Sequence, residues 1–366
     1  MEEVPTIIIV SFLGLVVGII FGGTAQRTNF CTMGAISDIV FMGDWNRFRA
    51  WMLSIAVAIL GSQALHMSGT LDLADSIYLT PNLGWAGAII GGLLFGFGMT
   101  LTGGCGNKTL VRLGAGNLKS LVVALFLGIS AYMTLRGLTG LARVEIEDSL
   151  NVNLETLGMT DQSLPAFLNL IGFTELAARF GVIFVIVGLL LWFVFKSGEF
   201  RRSRADLTGG IIIGLMVPAA WYITGVVGFD EFEPTPLTSL SFVAPVGESI
   251  QYLMTFTGST INFGIAVVVG VILGSFIAAK LAGEFRIEAF TDPHDMVRHM
   301  IGGTIMGVGG VMALGCTVGQ GITGMSTLAL GSVIALLAIL CGGYFGMKYL
   351  EEGTFGGAFG AVFSRG

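Results

Sequence analysis

Three of the four cysteines stand in company that could do chemistry. Cys31 lies in Arg27-Thr28-Asn29-Phe30-Cys31-Thr32-Met33-Gly34, Cys105 in Thr102-Gly103-Gly104-Cys105-Gly106-Asn107-Lys108-Thr109, and Cys316 in Gly315-Cys316-Thr317-Val318-Gly319-Gln320-Gly321. Each follows an apolar run and precedes a segment that could be helical but is too short to cross a bilayer. A thiol is a weak donor with polarizable sulfur, and the N-terminus of a helix attracts anions. Thiols, backbone amides and few full charges suit a soft, sulfur-bearing anion, bound without being trapped. Gly104, Gly106 and Gly315 allow the backbone to approach such an ion. Asn29, Asn107 and Gln320 are candidates to bond oxyanion oxygens, or to cap the short helices. Arg27 and Lys108 are candidates to attract the anion, or to anchor the chain at the inner surface. Cys341 lies inside a continuous apolar run and reads as a buried, inert filler. No cofactor or metal site is expected. No two cysteines are close in sequence, and His66, His294 and His299 fall near span ends or in loops.

The cysteines belong to a repeat. Gly91-Gly92-x3-Gly96-x-Gly98-x5-Gly104-Cys105 aligns without a gap to Gly302-Gly303-x3-Gly307-x-Gly309-x5-Gly315-Cys316, at an offset of 211. Gly14-x3-Gly18 echoes Gly210-x3-Gly214 more faintly. Glycines at this spacing let transmembrane helices pack closely; packing does not explain the cysteine that closes each copy.

A mean hydropathy of +0.85, with 54% hydrophobic and only 11% charged residues, predicts an all-α integral membrane protein. Nine spans are expected, at about 5–23, 48–67, 84–101, 118–135, 180–195, 207–227, 261–281, 300–314 and 328–348. The first follows Met1-Glu2-Glu3 and reads as a retained span, since a secretory signal would open with basic residues. With the N-terminus outside, 15 of the 18 basic residues fall inside and only Arg136, Arg143 and Arg179 fall outside. The C-terminus, with Lys348 and Arg365, is then inside. Acidic outer loops such as Glu145–Asp148 and Asp230–Glu233 carry much of the net charge of −6, which argues against a nucleic-acid partner. The two glycine–cysteine copies are the third and eighth spans. Being an odd number apart, they must cross in opposite directions, which makes an inverted repeat. Residues 1–136 form the first half, 207–366 the second, and 137–206 an outer loop and connecting span. No phosphate-binding loop is present, and no loop is long enough for a rhodanese-like domain, so the chain reads as a transporter and not an enzyme.

These motifs resemble the YeeE/YedE sulfur-transport family. Gln26-Arg27-x-Asn29-Phe30-Cys31-x-x-Gly34-Ala35-x-Ser37-Asp38 is similar to its signature after the first span. Gly91–Gly98 with Gly103–Cys105, and Gly315-Cys316-x-x-Gly319-x-Gly321, resemble its two glycine–cysteine motifs. The resemblance covers almost the whole chain. It implies an hourglass-like inner-membrane protein with nine spans and several short non-spanning helices, in which thiosulfate passes between thiols through S–H···S hydrogen bonds. Cys31, Cys105 and Cys316 would form that relay. Cys31 aligns with Val227, so the second half lacks a fourth thiol. Selenium compounds are an alternative cargo, and a membrane sulfurtransferase forming cysteine persulfides is an alternative activity. The expected partners are the sulfur anion, the lipid bilayer and a cytoplasmic sulfur-carrier protein.

Overall fold

The computed structural model describes residues 5–230 and 235–363; Met1–Glu3, most of the Asp230–Glu233 stretch and Arg365 lie outside the described residues. The helices are α1 (Thr6–Arg27), α2 (Thr32–Ser37), α3 (Asn46–Met67), α4 (Trp85–Leu101), α5 (Gly106–Gly114), α6 (Leu118–Arg136), α7 (Leu138–Leu150) and α8 (Leu164–Asn169). They continue as α9 (Glu175–Phe195), α10 (Gly198–Arg202), α11 (Arg204–Tyr222), α12 (Val243–Met254), α13 (Phe263–Leu281), α14 (Pro293–Met312), α15 (Leu330–Glu352) and α16 (Phe355–Phe363). A two-residue strand, β1 (Asn82–Leu83), pairs antiparallel with β2 (Val152–Asn153). Helices dominate because backbone in hydrocarbon must satisfy its own hydrogen bonds. Their starts are capped locally: Asn117 Oδ1 accepts from Ser120 N at 3.0 Å, and Asn262 Oδ1 from Ile265 N at 2.9 Å.

Among the described residues, eight segments are long and apolar enough to cross a membrane. The ninth expected span is α14. It has 20 residues, but His294, Asp295, Arg298 and His299 occupy its first turns. Its packing nevertheless places it in the same layer. Gly303 and Gly307 lie against Val123 and Leu127 of α6 in ascending order, so those two helices run parallel. Against α4 the order reverses, with Gly91 meeting Gly309 and Gly98 meeting Gly302.

That crossing sits on an approximate two-fold axis. A methyl added at Gly98 would lie 2.8 Å from the Gly302 carbonyl, and one at its repeat counterpart Gly309 would lie 2.6 Å from the Gly91 carbonyl. Only glycine permits two backbones to touch in this way. The remaining contacts obey the same exchange. The α1–α13 pair is mirrored by α11–α3, α4–α15 by α14–α6, α2–α3 by α12–α13, and α2–α15 by α12–α6. Gly14 and Gly18 of α1 meet Phe263 and Gly270, while Gly210 and Gly214 of α11 meet Ala50 and Ser54, so both pairs are parallel. All these directions match nine alternating spans. The arrangement is the inverted repeat expected from the odd separation of its motifs. Helix α9 stands outside this exchange, packs on α3, and buries little of its surface.

Candidate functional site

Each of the three motif cysteines closes the same local structure. A helix ends in a residue with left-handed backbone, one residue follows, and then comes cysteine. The left-handed residues are Asn29 (φ 50°), Gly103 (φ 69°) and Leu314 (φ 55°). The amide of the next residue bonds back across the last turn: Phe30 N to Ala25 O at 3.2 Å, Gly104 N to Met99 O at 2.9 Å, and Gly315 N to Gly310 O at 2.8 Å. This is the six-residue closure of a Schellman motif. Leu314 occupies the position of Gly103 in the repeat, and tolerates a conformation that glycine adopts freely.

Beyond each break the cysteine begins a new short helical segment. Cys31 is the N-cap of α2, its Sγ accepting from Gly34 N at 3.4 Å. Cys105 is the N-cap of α5, and its thiol donates to Asn107 Oδ1 at 2.6 Å. The Cys316 Sγ accepts from Gly319 N at 3.3 Å. The segment after Cys316 carries a π-turn over Gly319–Gly324, one residue wider than the matching α5. This explains why Leu118-x-Ser120 matches Leu330-x-Ser332 at an offset of 212 and not 211. At the place of Cys31 in the second half, Val227 ends a π-turn and no left-handed break forms.

The three breaks converge. Cys31, Cys105 and Cys316 are all buried. The Cys31 and Cys105 side chains are buried neighbours. Thr317, next to Cys316, lies against the Cys105 thiol. On the face where α1 begins, a cavity of about 310 Å³ ends at Leu314 and Gly315, with Tyr78, Ser239 and Ser241 among its walls. A methyl built on Gly319 would stand 2.9 Å from Ser241 Oγ and 3.7 Å from the Tyr78 hydroxyl, so both groups flank the turn that Cys316 caps.

On the opposite side of the thiols are cations. Lys108, 9% exposed, donates to Asn29 Oδ1 at 3.2 Å. Among the described residues no carboxylate lies in ion-pair range of it; its charged neighbours are Arg112 and Arg47. Arg47 pairs with Asp38 at 3.2 Å. Asp38 is buried in a π-turn that continues α2.

Of the residues singled out from sequence, the cysteines, Gly104, Gly106, Gly315, Asn29, Asn107, Lys108 and Gln320 all fall in or beside the three breaks. Gln320 is buried, with Nε2 donating to Ala313 O at 2.5 Å. Arg27 is not brought to the thiols; it is exposed and lines a lateral groove with Thr208 and Gly274. Cys341 is corrected too, since its helix turns it outward and it is exposed rather than buried. Sequence reasoning missed Thr317, Thr32, Tyr78, Ser241, Arg47 and Arg112 as neighbours of the three breaks. A threonine directly after both Cys31 and Cys316 was the one available signal.

A family model described as sulphur transport matches residues 27–345. The chain belongs to that family. Two thiosulfate transporters named TsuA are similar over nearly their whole length. The protein from Escherichia coli K12 is 28% identical over 349 residues, covering 90% of this chain and 91% of that one. The protein from Spirochaeta thermophila is 28% identical over 336 residues, covering 90% and 96%. A probable transporter, YedE of Escherichia coli K12, is 32% identical over 102 residues, or 27% of this chain and 23% of that protein. In this sulphur transport protein the matched span runs from Arg27, just before the first cysteine motif, to Phe345 in α15.

Proposed function

We propose that the protein takes up thiosulfate across the cytoplasmic (inner) membrane of a bacterium, with its N-terminus outside and its C-terminus inside. The observation that carries this reading is the convergence of three cysteine-capped helix breaks between an outer cavity and an inner group of cations. The full-length similarity to two thiosulfate transporters supports the cargo, and the inward bias of basic residues supports the orientation.

The anion enters the cavity walled by Tyr78 and Ser241 and meets Cys316 first. It passes Thr317 to Cys105, then Cys31, and leaves toward Asn29, Lys108, Arg112 and Arg47. An anion in hydrocarbon costs several kcal/mol or more, so its hydration must be replaced step by step. Each thiol contact contributes on the order of 1 kcal/mol. Several weak sites in series let the ion pass, where one strong site would hold it. Helix starts at the cysteines add fixed positive potential, and the buried Lys108 draws the anion onward. The chain divides for this purpose into mirrored halves, 1–136 and 207–366, joined by 137–206. A cytoplasmic sulfur-carrier protein takes the product at the inner face.

Uptake of labelled thiosulfate into proteoliposomes tests the reading, with sulfate, sulfite and selenite as competitors. Uptake blocked by unlabelled thiosulfate and not by sulfate is expected. Preference for selenite, or a cysteine persulfide accumulating with release of sulfite, would replace the reading by its alternatives.

A further inference from the structure

Two buried polar atoms beside the Cys105 thiol lack a hydrogen bond of ordinary geometry among the described residues. Thr317 is fully buried, its Oγ1 makes no hydrogen bond of ordinary geometry, and it lies against Cys105. Asn107 is 1% exposed; its Oδ1 is taken by the Cys105 thiol, and its Nδ2 is unpartnered. Buried donors are satisfied in nearly all proteins, and an exception calls for a ligand or a strain. Here the backbone nearby is well bonded. Thr317 opens the segment after Cys316, and Asn107 is the second residue of α5. The two halves therefore each send one donor to the same place. The repeat does not require this, because the counterpart of Thr317 is Gly106 and that of Asn107 is Val318.

We propose that the Thr317 hydroxyl and the Asn107 amide nitrogen form an oxyanion subsite between Cys316 and Cys105, specific for the sulfonate end of the cargo. The inference rests on the thiosulfate reading and deepens it: the thiols take the terminal sulfur, and these two neutral donors take the oxygens. Neutral donors suit the role, since they hold the ion without the grip of a buried cation. The pairing also gives selectivity a physical basis. Sulfate satisfies the donors but offers no soft atom to the thiols; an anion with a soft atom and no oxygens leaves both donors unpaired.

The test is direct binding to the purified full-length protein in detergent, with thiosulfate, sulfite, sulfate and selenite as separate ligands, alongside thermal unfolding of the ligand-free protein. Thr317→Val keeps the shape and removes the hydroxyl. It should weaken thiosulfate binding by about 10- to 100-fold, the range for a hydrogen bond to a charged group. Thr317→Ser keeps the hydroxyl and should stay within roughly threefold of wild type. Because the hydroxyl is unsatisfied without ligand, Thr317→Val should leave the melting temperature of the free protein unchanged or raise it. Asn107→Asp keeps the acceptor for the thiol but turns a donor into an anionic oxygen, and should abolish binding. Unchanged affinity in Thr317→Val, equal loss in Thr317→Ser, or a lowered melting temperature in Thr317→Val overturns the subsite. If wild type binds another of the four oxyanions and not thiosulfate, the transport reading fails while the same variants still judge the subsite on that ion. If it binds none of them, the subsite falls.

Discussion

At the scale of single residues, the thiols differ in what surrounds them, and their losses should differ accordingly. Cys105 neighbours Cys31, holds Asn107 and faces Thr317, so it is the junction of the proposed pathway. Cys105→Ala and Cys316→Ala are each expected to reduce thiosulfate uptake at least about tenfold at matched protein levels, since each leaves a gap in a series of weak sites. Cys105→Ser should fail about as badly, because a hydroxyl is smaller and less polarizable than a thiol. Cys31→Ala should do less damage, since Asn29 and Lys108 stand beside that step. Cys341→Ala should be silent, because its sulfur projects from the outside of α15. Near-normal uptake by both serine variants, at positions 105 and 316, would reduce the thiols to small polar fillers. The cysteines and their amide neighbours were legible in sequence because composition and spacing are local properties. Tyr78, Ser241 and Arg47 were not, because each reaches the site through the tertiary fold. The outward facing of Cys341 was equally hidden, since a uniformly apolar helix shows no preferred side in its sequence.

At the scale of elements, the glycines separate into those that bring backbones together and those that do not. Gly98 lies within the α4–α14 crossing, where an added methyl meets the Gly302 carbonyl at 2.8 Å and the Met306 amide at 2.9 Å. Gly188 of α9 has nothing within 4 Å. Gly98→Ala is expected to destabilise the protein by about 1–3 kcal/mol, the range for forced overpacking, whereas Gly188→Ala should be neutral or slightly stabilising. Thermal unfolding in detergent checks both; equal effects would mean that the crossing is loose. Eight of the nine expected spans stand as long apolar helices among the described residues; α14, the ninth, falls short because its first turns are charged. Helices α7 and α12 were not expected as elements, since neither is long enough or apolar enough to stand out. The shared form of the three breaks also escaped the sequence, because Asn29, Gly103 and Leu314 are unlike residues in one backbone conformation.

At the scale of the whole molecule, helix directions tie the topology together: fixing one terminus fixes every loop. With nine spans and the N-terminus outside, a fluorescent reporter fused after the last residue should be bright in the cytoplasm, and an exported phosphatase fused there should be inactive. A phosphatase fusion in the β2 region, at Asn153, should be active. The reverse pattern would invert the proposed direction of the pathway without altering the fold. The inverted repeat was legible from parity alone, because two copies of one motif an odd number of spans apart have no other option. Its axis, at the crossing of α4 and α14, depends on tertiary packing.

The adjacency of Cys31 and Cys105 also makes the protein vulnerable to poisoning. Two neighbouring thiols could clamp a soft, two-coordinate heavy-metal ion, whose binding would release both thiol protons and form two metal–sulfur bonds. Mercuric ion should therefore block uptake at about one equivalent per chain, and a small dithiol should restore it. Cys31→Ala should need substantially more of the metal, having one jaw of the clamp missing; equal sensitivity in that variant would place the toxic lesion elsewhere. A cell that relies on this route for its sulfur would carry a mercury-sensitive step in its own nutrition.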